Sequence, residues 1–387
     1  MTDVRTLFKR AFAHAPPHVI RVPVALELLG GHTEAHQGLF YSTAVDRYAE
    51  MAFVPRHDGR IELIRDGPDR RLNRWAREYI PGHVPAWAAA TAAIIDHLRE
   101  AGRNIRGFNA AIVSDQLAGP ESVSLATALA LRDMFPFGVS ETGLTGTVKL
   151  GRDGALPKLK PGECNWFSEI CRDGGLGETL LPYLSSLTVR AGDWLQVDRL
   201  HRSLERHPFP GGALWLICDS GIRDTKAEVR RGRFDMLARA AAKRVGLKSL
   251  RSMERDELMR RRSELSGEEF GVARFVAGEC ARVVAVERAL READVAQLGE
   301  YLNQSQHDAS RAGLTSPEVD LLAELAKEEG GCLGARFTGC GFAGRTLNLV
   351  AWTHVDEFVE SMEKKFEDRT GLVLKCHRLK MVDGVMA

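Results

Sequence analysis

Short-period alternation of apolar and polar positions dominates the first part of the chain, and longer-period patterns follow it, so strands and helices are mixed along the sequence. The runs HVIRVPVALELLGG and YAEMAFVPR are apolar and β-prone, and GRIELIRD alternates as a half-buried strand does. Three such runs in close succession predict antiparallel pairing early in the fold. WAAATAAIIDHLREAG then predicts a helix closed by Gly102, and FNAAIVSDQ a strand. SVSLATALALRDMF reads as a helix so apolar that it must be buried.

From Pro136 to Gly175 the pattern dissolves into a Gly- and Pro-bearing stretch, and no regular element is predicted there. LTVRAGDWLQVDRL predicts paired strands. HRSLERHPFPGG supplies turn residues before the buried strand ALWLICDSG, which places a domain boundary near Pro208. Long helical segments follow: KAEVRRGRFDMLARAAAKRVG, DELMRRRSELSGEEFGVARFVAGECARVVAVERALREAD, and SPEVDLLAELAKEEGG, the last with Ser316 as N-cap. CLGARFTGCGFAGRTLNLVAW is a Gly-rich turn running into a strand, before a helix around VDEFVESMEKKFEDRTG and the strand LVLKCHRL. The expected class is α+β, in two domains, residues 1–207 and 208–387, sharing a cleft.

Composition narrows the function without naming it. Among 387 residues, Lys+Arg total 53 and Asp+Glu total 52, a net charge of +1 that lacks the basic footprint of a nucleic-acid or anionic-membrane binder. The 7 cysteines are scattered without a CxxC pair, which speaks against a disulfide framework or a structural zinc site and for a reducing cytoplasm. MTDVRTLFKRAFAHAPPH is an amphipathic, helix-like start without a continuous apolar core, and no apolar run approaches the roughly 20 residues of a membrane span. The expectation is a cytoplasmic protein whose function lies in a local site.

Three segments carry candidate chemistry. In LELLGGHTEAHQG, His32, Glu34 and His36 alternate after Gly30 and Gly31, so an extended backbone would put all three side chains on one side, where they could meet sugar hydroxyls or a metal. In DQLAGPESVSLATALAL, a strand passes through Gly119 into a helix whose first turn carries Ser122 and Ser124, a junction that suits a phosphate. Ser122 as a plain N-cap explains the same residues, while Pro120, which lacks an N–H, and the Glu121 carboxylate work against an anion. In GARFTGCGFAGRT, Gly334, Gly339, Gly341 and Gly344 permit close approaches of the backbone, which fits either a binding loop or a tight turn under a helix.

The order and spacing of these segments resemble the three motifs of the GHMP kinases, and of galactokinases in particular. The first family motif, P-G-R-V-N-L-I-G-E-H-T-D-Y-N-G-G, is similar to Pro23 through Gly38, and the third, G-[SA]-R-M-T-G-G-G-F-G-G-C, to Gly334 through Arg345. CDSGIRDTKAEVRRGR resembles N-S-N-V-R-H…V-R-R-R, and TSPEVDLL resembles S-x-P-E-L-D-x-L. The resemblance spans nearly the whole chain except roughly residues 136–172. It implies a ribosomal protein S5 domain 2-like N-terminal domain, a ferredoxin-like α/β C-terminal domain, and ATP with Mg²⁺ meeting a sugar.

By the same resemblance, Gly31, His32 and Glu34 would face the sugar, and Gly119, Ser122 and Ser124 the ATP phosphates, with Ser124 toward Mg²⁺. Gly339, Gly341 and Gly344 would form a glycine loop in the cleft, and Glu178 in GLGET would stand for the family's catalytic Asp. The departures fall on the chemistry: the family's Arg is Ala25, its Asn is Glu27, the Glu that contacts the sugar is Gly31, and Glu121, Val123 and Leu125 replace a glycine and two serines of the phosphate motif. Phosphoryl transfer rests on positioning and charge stabilisation, so such losses matter. Two expectations follow. One is an ATP-dependent kinase phosphorylating a monosaccharide hydroxyl, the anomeric one in the family, on a sugar other than galactose, with Arg21 or Lys226 supplying the lost positive charge. The other is a catalytically silent relative serving as a sugar or nucleotide sensor, or as a scaffold for a protein partner.

Overall fold

The computed structural model describes residues 3–66, 72–77, 84–100, 102–135, 181–201, 203–339 and 344–385. Internal packing divides the chain into two compact units. One contains residues 1–26, 44–191 and 382–387, and the other residues 27–43 and 192–381. This division differs from a boundary at Pro208. The long strands β1 (His18–Leu29) and β2 (Leu39–Pro55) each run from one unit into the other, which assigns the turn between them to the second unit.

The first unit is a sheet sandwiched between helices. The later part of β2, from Ala49 to Pro55, pairs antiparallel with β5 (Phe108–Ser114). β5 also runs parallel to β3 (Ile61–Asp66), which pairs antiparallel with β4 (Leu72–Arg77). Successive side chains of a strand point to opposite faces, and both faces here are covered. Met51, Phe53, Ala110 and Ile112 pack under α2 (Ala89–Glu100) and α3 (Pro120–Met134). Ala52, Ala111 and Val113 pack under α1 (Val4–Phe12) through Leu7 and Phe8. α2 and α3 face each other through Thr91 and Thr127, whose hydroxyls lie 3.0 Å apart.

One expectation is corrected after residue 180. Leu187 and Thr188, read as strand, lie in helix α4 (Leu181–Thr188), and only Asp193–Asp198 form a strand, β6. Turn-rich HRSLERHP is strand β7 (Ser203–Pro208), paired with β6.

In the second unit, β8 (Ala213–Asp219), β9 (Cys332–Phe337), β10 (Arg345–Ala351) and β11 (Lys375–Leu379) form an antiparallel sheet in the order β11-β8-β10-β9. Five helices join them: α5 (Ala227–Arg244), α6 (Arg255–Arg260), α7 (Gly267–Arg291), α8 (Val295–Arg311) and α9 (Pro317–Glu328). A sixth, α10 (Val355–Thr370), lies between β10 and β11. The single helical segment expected over residues 256–294 is broken at Ser266, whose side chain accepts from Glu269 N while Glu269 reaches back to Ser266 N, a capping box that starts a new helix. α8 escaped the sequence reading because VAQLGEYLNQSQHDASR carries only a narrow apolar stripe, Leu298, Leu302 and Ala309. One face of the sheet, through Leu216, Cys218, Ala335 and Val350, meets Leu322 and Leu325 of α9 and Phe358, Met362 and Phe366 of α10. Phe337 belongs to a separate core with Phe234 and Phe275. Antiparallel pairing with helices in long runs between strands places the chain in the α+β class. No helix among the described residues is long and apolar enough to cross a membrane.

Candidate functional site

The segment after β1 curls instead of staying extended. Gly30 has φ +94° and His32 φ +59°, and the Thr33 hydroxyl donates to the Gly30 carbonyl at 2.6 Å. Thr33 O then accepts from His36 N and Gly38 N, closing a 3₁₀ turn over Glu34–His36. His32, Glu34 and His36 therefore do not share one side of an extended strand, which corrects that expectation. Gly30 permits the bend, since a side chain there would need a left-handed backbone and would come within 2.5 Å of Phe40 Cα.

The two histidines do different work. His32 is buried, its Nε2 is 3.2 Å from the Gly339 carbonyl oxygen, and its ring packs against Phe234 and Phe337 at centroid separations of 5.8 and 5.7 Å. A carbonyl only accepts, so Nε2 carries the proton and donates it to Gly339. His36 is buried with Nδ1 accepting from Leu250 N at 3.2 Å. Burial, with the positive charge of Arg239, pushes its pKa down to about 4. Its carbonyl accepts from Ser249 Oγ at 2.8 Å, and the next carbonyl, Gln37 O, accepts from Arg251, which also grips Asp198 at 2.8 and 2.7 Å. Glu34 contributes its backbone to the turn; its side chain lies outside the described residues.

A buried charge cluster in the second unit fixes this loop. Gly30 N donates to Glu279 Oε1 at 2.8 Å, and Arg282 donates to Glu279 Oε2 at 2.9 Å and to Asp308 at 2.7 Å. The Arg336 guanidinium lies 3.6 Å from Glu279 Oε1 and donates to Leu28 O at 2.6 Å. Burial alone would raise the Glu279 pKa, but Arg282, Arg336, the Gly30 N–H and Ser305 outweigh it and keep the carboxyl below its ordinary range. Sequence reading missed Glu279 and Arg336 as site residues. Their signal was a single carboxylate inside the apolar VAGECARVV and a single cation inside ARF, since an unpaired charge is not kept in a core.

The glycine-rich segment joins the same unit. Gly339 (φ +66°) receives His32, and Gly344 (φ +68°) is pinned as its carbonyl accepts from Ser220 Oγ at 2.8 Å and Ser220 N at 2.9 Å. A side chain on Gly344 would meet that hydroxyl within 2.6 Å. Beside it, Asp219 takes Arg223 at 2.8 and 2.7 Å and Arg345 at 2.7 Å. Burial pushes the Asp219 pKa up, but Arg223, the Gly221 N–H and Arg345 hold it at about 2. Gly341 lies outside the described residues, as does Glu178. The structure thus places Gly31, His32, Gly339 and Gly344 in one unit and joins the two segments through His32 and Gly339.

Gly119, Ser122 and Ser124 lie in the other unit. The N-cap of α3 is Gly119, not Ser122, with Pro120 at the first helical position, where its missing N–H costs nothing. The Glu121 carboxylate folds back over Gly119, so that a methyl added to Gly119 would collide with it. Ser122 and Ser124 are buried, Ser124 fully. An acidic side chain already sits at the positive end of the helix dipole, and the two serines expected to meet phosphate and Mg²⁺ are buried. A triphosphate does not fit this first turn as folded. Among the described residues no three His, Cys, Asp or Glu side chains converge as a metal site. The two cations considered as replacements are placed otherwise: Arg21 stacks on the Tyr48 ring at 3.4 Å and pairs with Glu50 at 2.8 Å, and Lys226 is exposed at the start of α5.

Residues 286–342 match the family described as GHMP kinases C terminal. Over 391 residues the chain is 28% identical to a galactokinase of Roseiflexus sp. (strain RS-1), covering 99% of this chain and 96% of that one. It is also 28% identical to a Homo sapiens galactokinase, covering 90% and 88%. Among solved structures, Lactococcus lactis galactokinase complexed with galactose superposes with a TM-score of 0.84 at 20% identity, covering 98% of this chain and 97% of that one. The Methanococcus jannaschii mevalonate kinase gives 0.60 at 13%, covering 94% and 98%. The fold is therefore the two-domain fold of these kinases.

Proposed function

We propose, for a chain that is galactokinase-like along its whole length and has the GHMP kinase fold, that it is a sugar kinase directing a phosphoryl group to a monosaccharide hydroxyl, on a sugar other than galactose. The observation that supports this reading best is the joining of the two most motif-like loops in one unit through His32 Nε2 and Gly339 O. A buried ion network anchors the first of them at Leu28 and Gly30, as a ligand-positioning loop must be held. Sugar choice differs from the relatives' because Gly31 and Glu34 replace the Glu and Asp of the motif. The α3 first turn does not fit ATP phosphates, so no phosphoryl-transfer step is assigned to Gly119, Ser122 or Ser124.

That misfit favours a second reading, a silent homologue that binds sugar and does not turn it over. Glu121 over Gly119 is the specific observation behind it. Thermal-shift titration with Mg-ATP, alone and with a panel of hexoses, separates the two. Stabilisation by ATP that deepens with one sugar supports the kinase. Stabilisation by sugar with none from millimolar ATP supports the sensor.

A further inference from the structure

Two of the motif's replaced positions lie against each other in the fold. Glu27 projects from the end of strand β1 so that its carboxylate covers the backbone of Gly31, and a methyl placed on Gly31 would collide with both of its oxygens and its carboxyl carbon. Glu27 Oε1 also lies 3.9 Å from Arg336 Nη1, within the ion network that fixes the loop, and the side chain stays 24% exposed, so that a ligand can reach it.

From this we infer that Glu27 is a ligand-reading carboxylate of this protein, delivered across Gly31 from the strand instead of from position 31 itself. The two departures, Glu at 27 and Gly at 31, are one exchange. A glutamate at 31 would meet the Glu27 carboxylate in the same space with like charge, and any side chain at 31 would have to displace it from where it lies. The conclusion rests on the sugar-binding reading above and extends it to a substrate class.

The chemistry of the site selects the ligand. A carboxylate only accepts, and the ring proton on His32 Nε2, in the same loop, is already donated to Gly339 O. The loop therefore recognises donors, and adjacent hydroxyls of a neutral monosaccharide fit two carboxylate oxygens as a pair. An anionic sugar, a uronate or a sugar phosphate, meets charge repulsion at the same place. Arg336 is fully buried, donates to Leu28 O and lies near the carboxylates of both Glu279 and Glu27, so its charge is balanced inside the loop by two anions.

Binding of D-galactose, D-glucose, D-mannose and D-galacturonate to the full chain, by calorimetry or ligand-observed NMR, tests this with three variants whose folding is checked by circular dichroism. Wild type should bind at least one neutral hexose and bind galacturonate at least tenfold more weakly. Glu27→Gln should lose about tenfold or more. Gly31→Ala, at a backbone conformation open to alanine, should lose a similar factor by pushing the carboxylate aside. The double exchange Glu27→Asn with Gly31→Glu should recover affinity to within a few-fold of wild type. Should Glu27→Gln and Gly31→Ala bind the hexose as wild type does, the role of Glu27 is overturned while sugar binding stands. If wild type binds none of the neutral sugars, the sugar reading itself falls, and Glu27's role with it. Tighter binding of galacturonate than of the hexoses overturns the neutral class.

Discussion

Arg336 donates to the carbonyl oxygen of Leu28 across 2.6 Å while its guanidinium lies 3.6 Å from the buried carboxylate of Glu279. A cation on β9 thus fixes the end of β1, and Glu279 in turn fixes Gly30. Taking one member from a buried ion cluster leaves the others uncompensated, at a cost of about 3–5 kcal/mol. Arg336→Met should therefore lower the unfolding free energy by about 3 kcal/mol or more in denaturant titration. Arg378→Ala, which removes an exposed pair with Asp356, should cost less than about 1 kcal/mol. Equal costs for the two variants would refute the assignment.

Gly30→Ala tests the bend that precedes His32. Both Gly30 (φ +94°) and Gly59 (φ +74°) have left-handed backbones, but only Gly30 has atoms in the way of a side chain. The left-handed conformation costs a non-glycine residue about 1–2 kcal/mol. Gly59→Ala should show about that much, and Gly30→Ala clearly more, with loss of sugar binding. Thermal melts of the two variants side by side make the comparison.

His36 predicts a pH dependence of stability. Its pKa is about 4 in the fold against 6.5 ordinarily, because burial, and with it the positive charge of Arg239, disfavours the charged ring. Between these values the unfolded chain binds the proton and the folded one does not, so stability falls as pH drops from about 6.5 to 4 and is fully present above that window. The whole loss attributable to His36 is up to about 3 kcal/mol. His36→Asn keeps an acceptor without a titrating ring and should flatten this part of the stability-against-pH curve; an unchanged slope would show that other groups carry it.

Glu121 makes a prediction about nucleotide. Removing its charge from the helix start removes a repulsion worth about 1 kcal/mol toward an incoming anion, or roughly fivefold in affinity. Glu121→Gln should therefore bind Mg-ATP several-fold more tightly than wild type by calorimetry, and lose a few tenths of a kcal/mol of stability, since the acid also favours the helix. An affinity unchanged by the substitution would mean that the carboxylate is not what keeps phosphate away.

The sequence made some of this legible and concealed the rest for physical reasons. GRIELIRD and FNAAIVSDQ became β3 and β5 because local alternation and two-sided burial leave a direct trace in the chain. The three candidate segments were visible from glycines and hydroxyl residues, yet the alternation of His32, Glu34 and His36 suggested an extended strand where the left-handed backbones of Gly30 and His32 wind a turn. The break at Ser266 hid inside a continuous helical pattern, although its capping box was present in the spacing of Ser266 and Glu269. The partnership of Glu27 with Gly31, and of Arg336 with Glu279, was out of reach, because each depends on where a side chain lands in three dimensions. Glu178, and the region around it, lie outside the described residues.

Sugar-dependent ADP formation is the most direct measure of the proposed activity. Purified full-length chain with Mg-ATP and each hexose in turn should release ADP with one monosaccharide above the sugar-free rate, and ³¹P NMR should show a matching sugar phosphate. No ADP above background with any of the sugars, while one of them still binds, would contradict the kinase account and leave the silent, sugar-binding homologue.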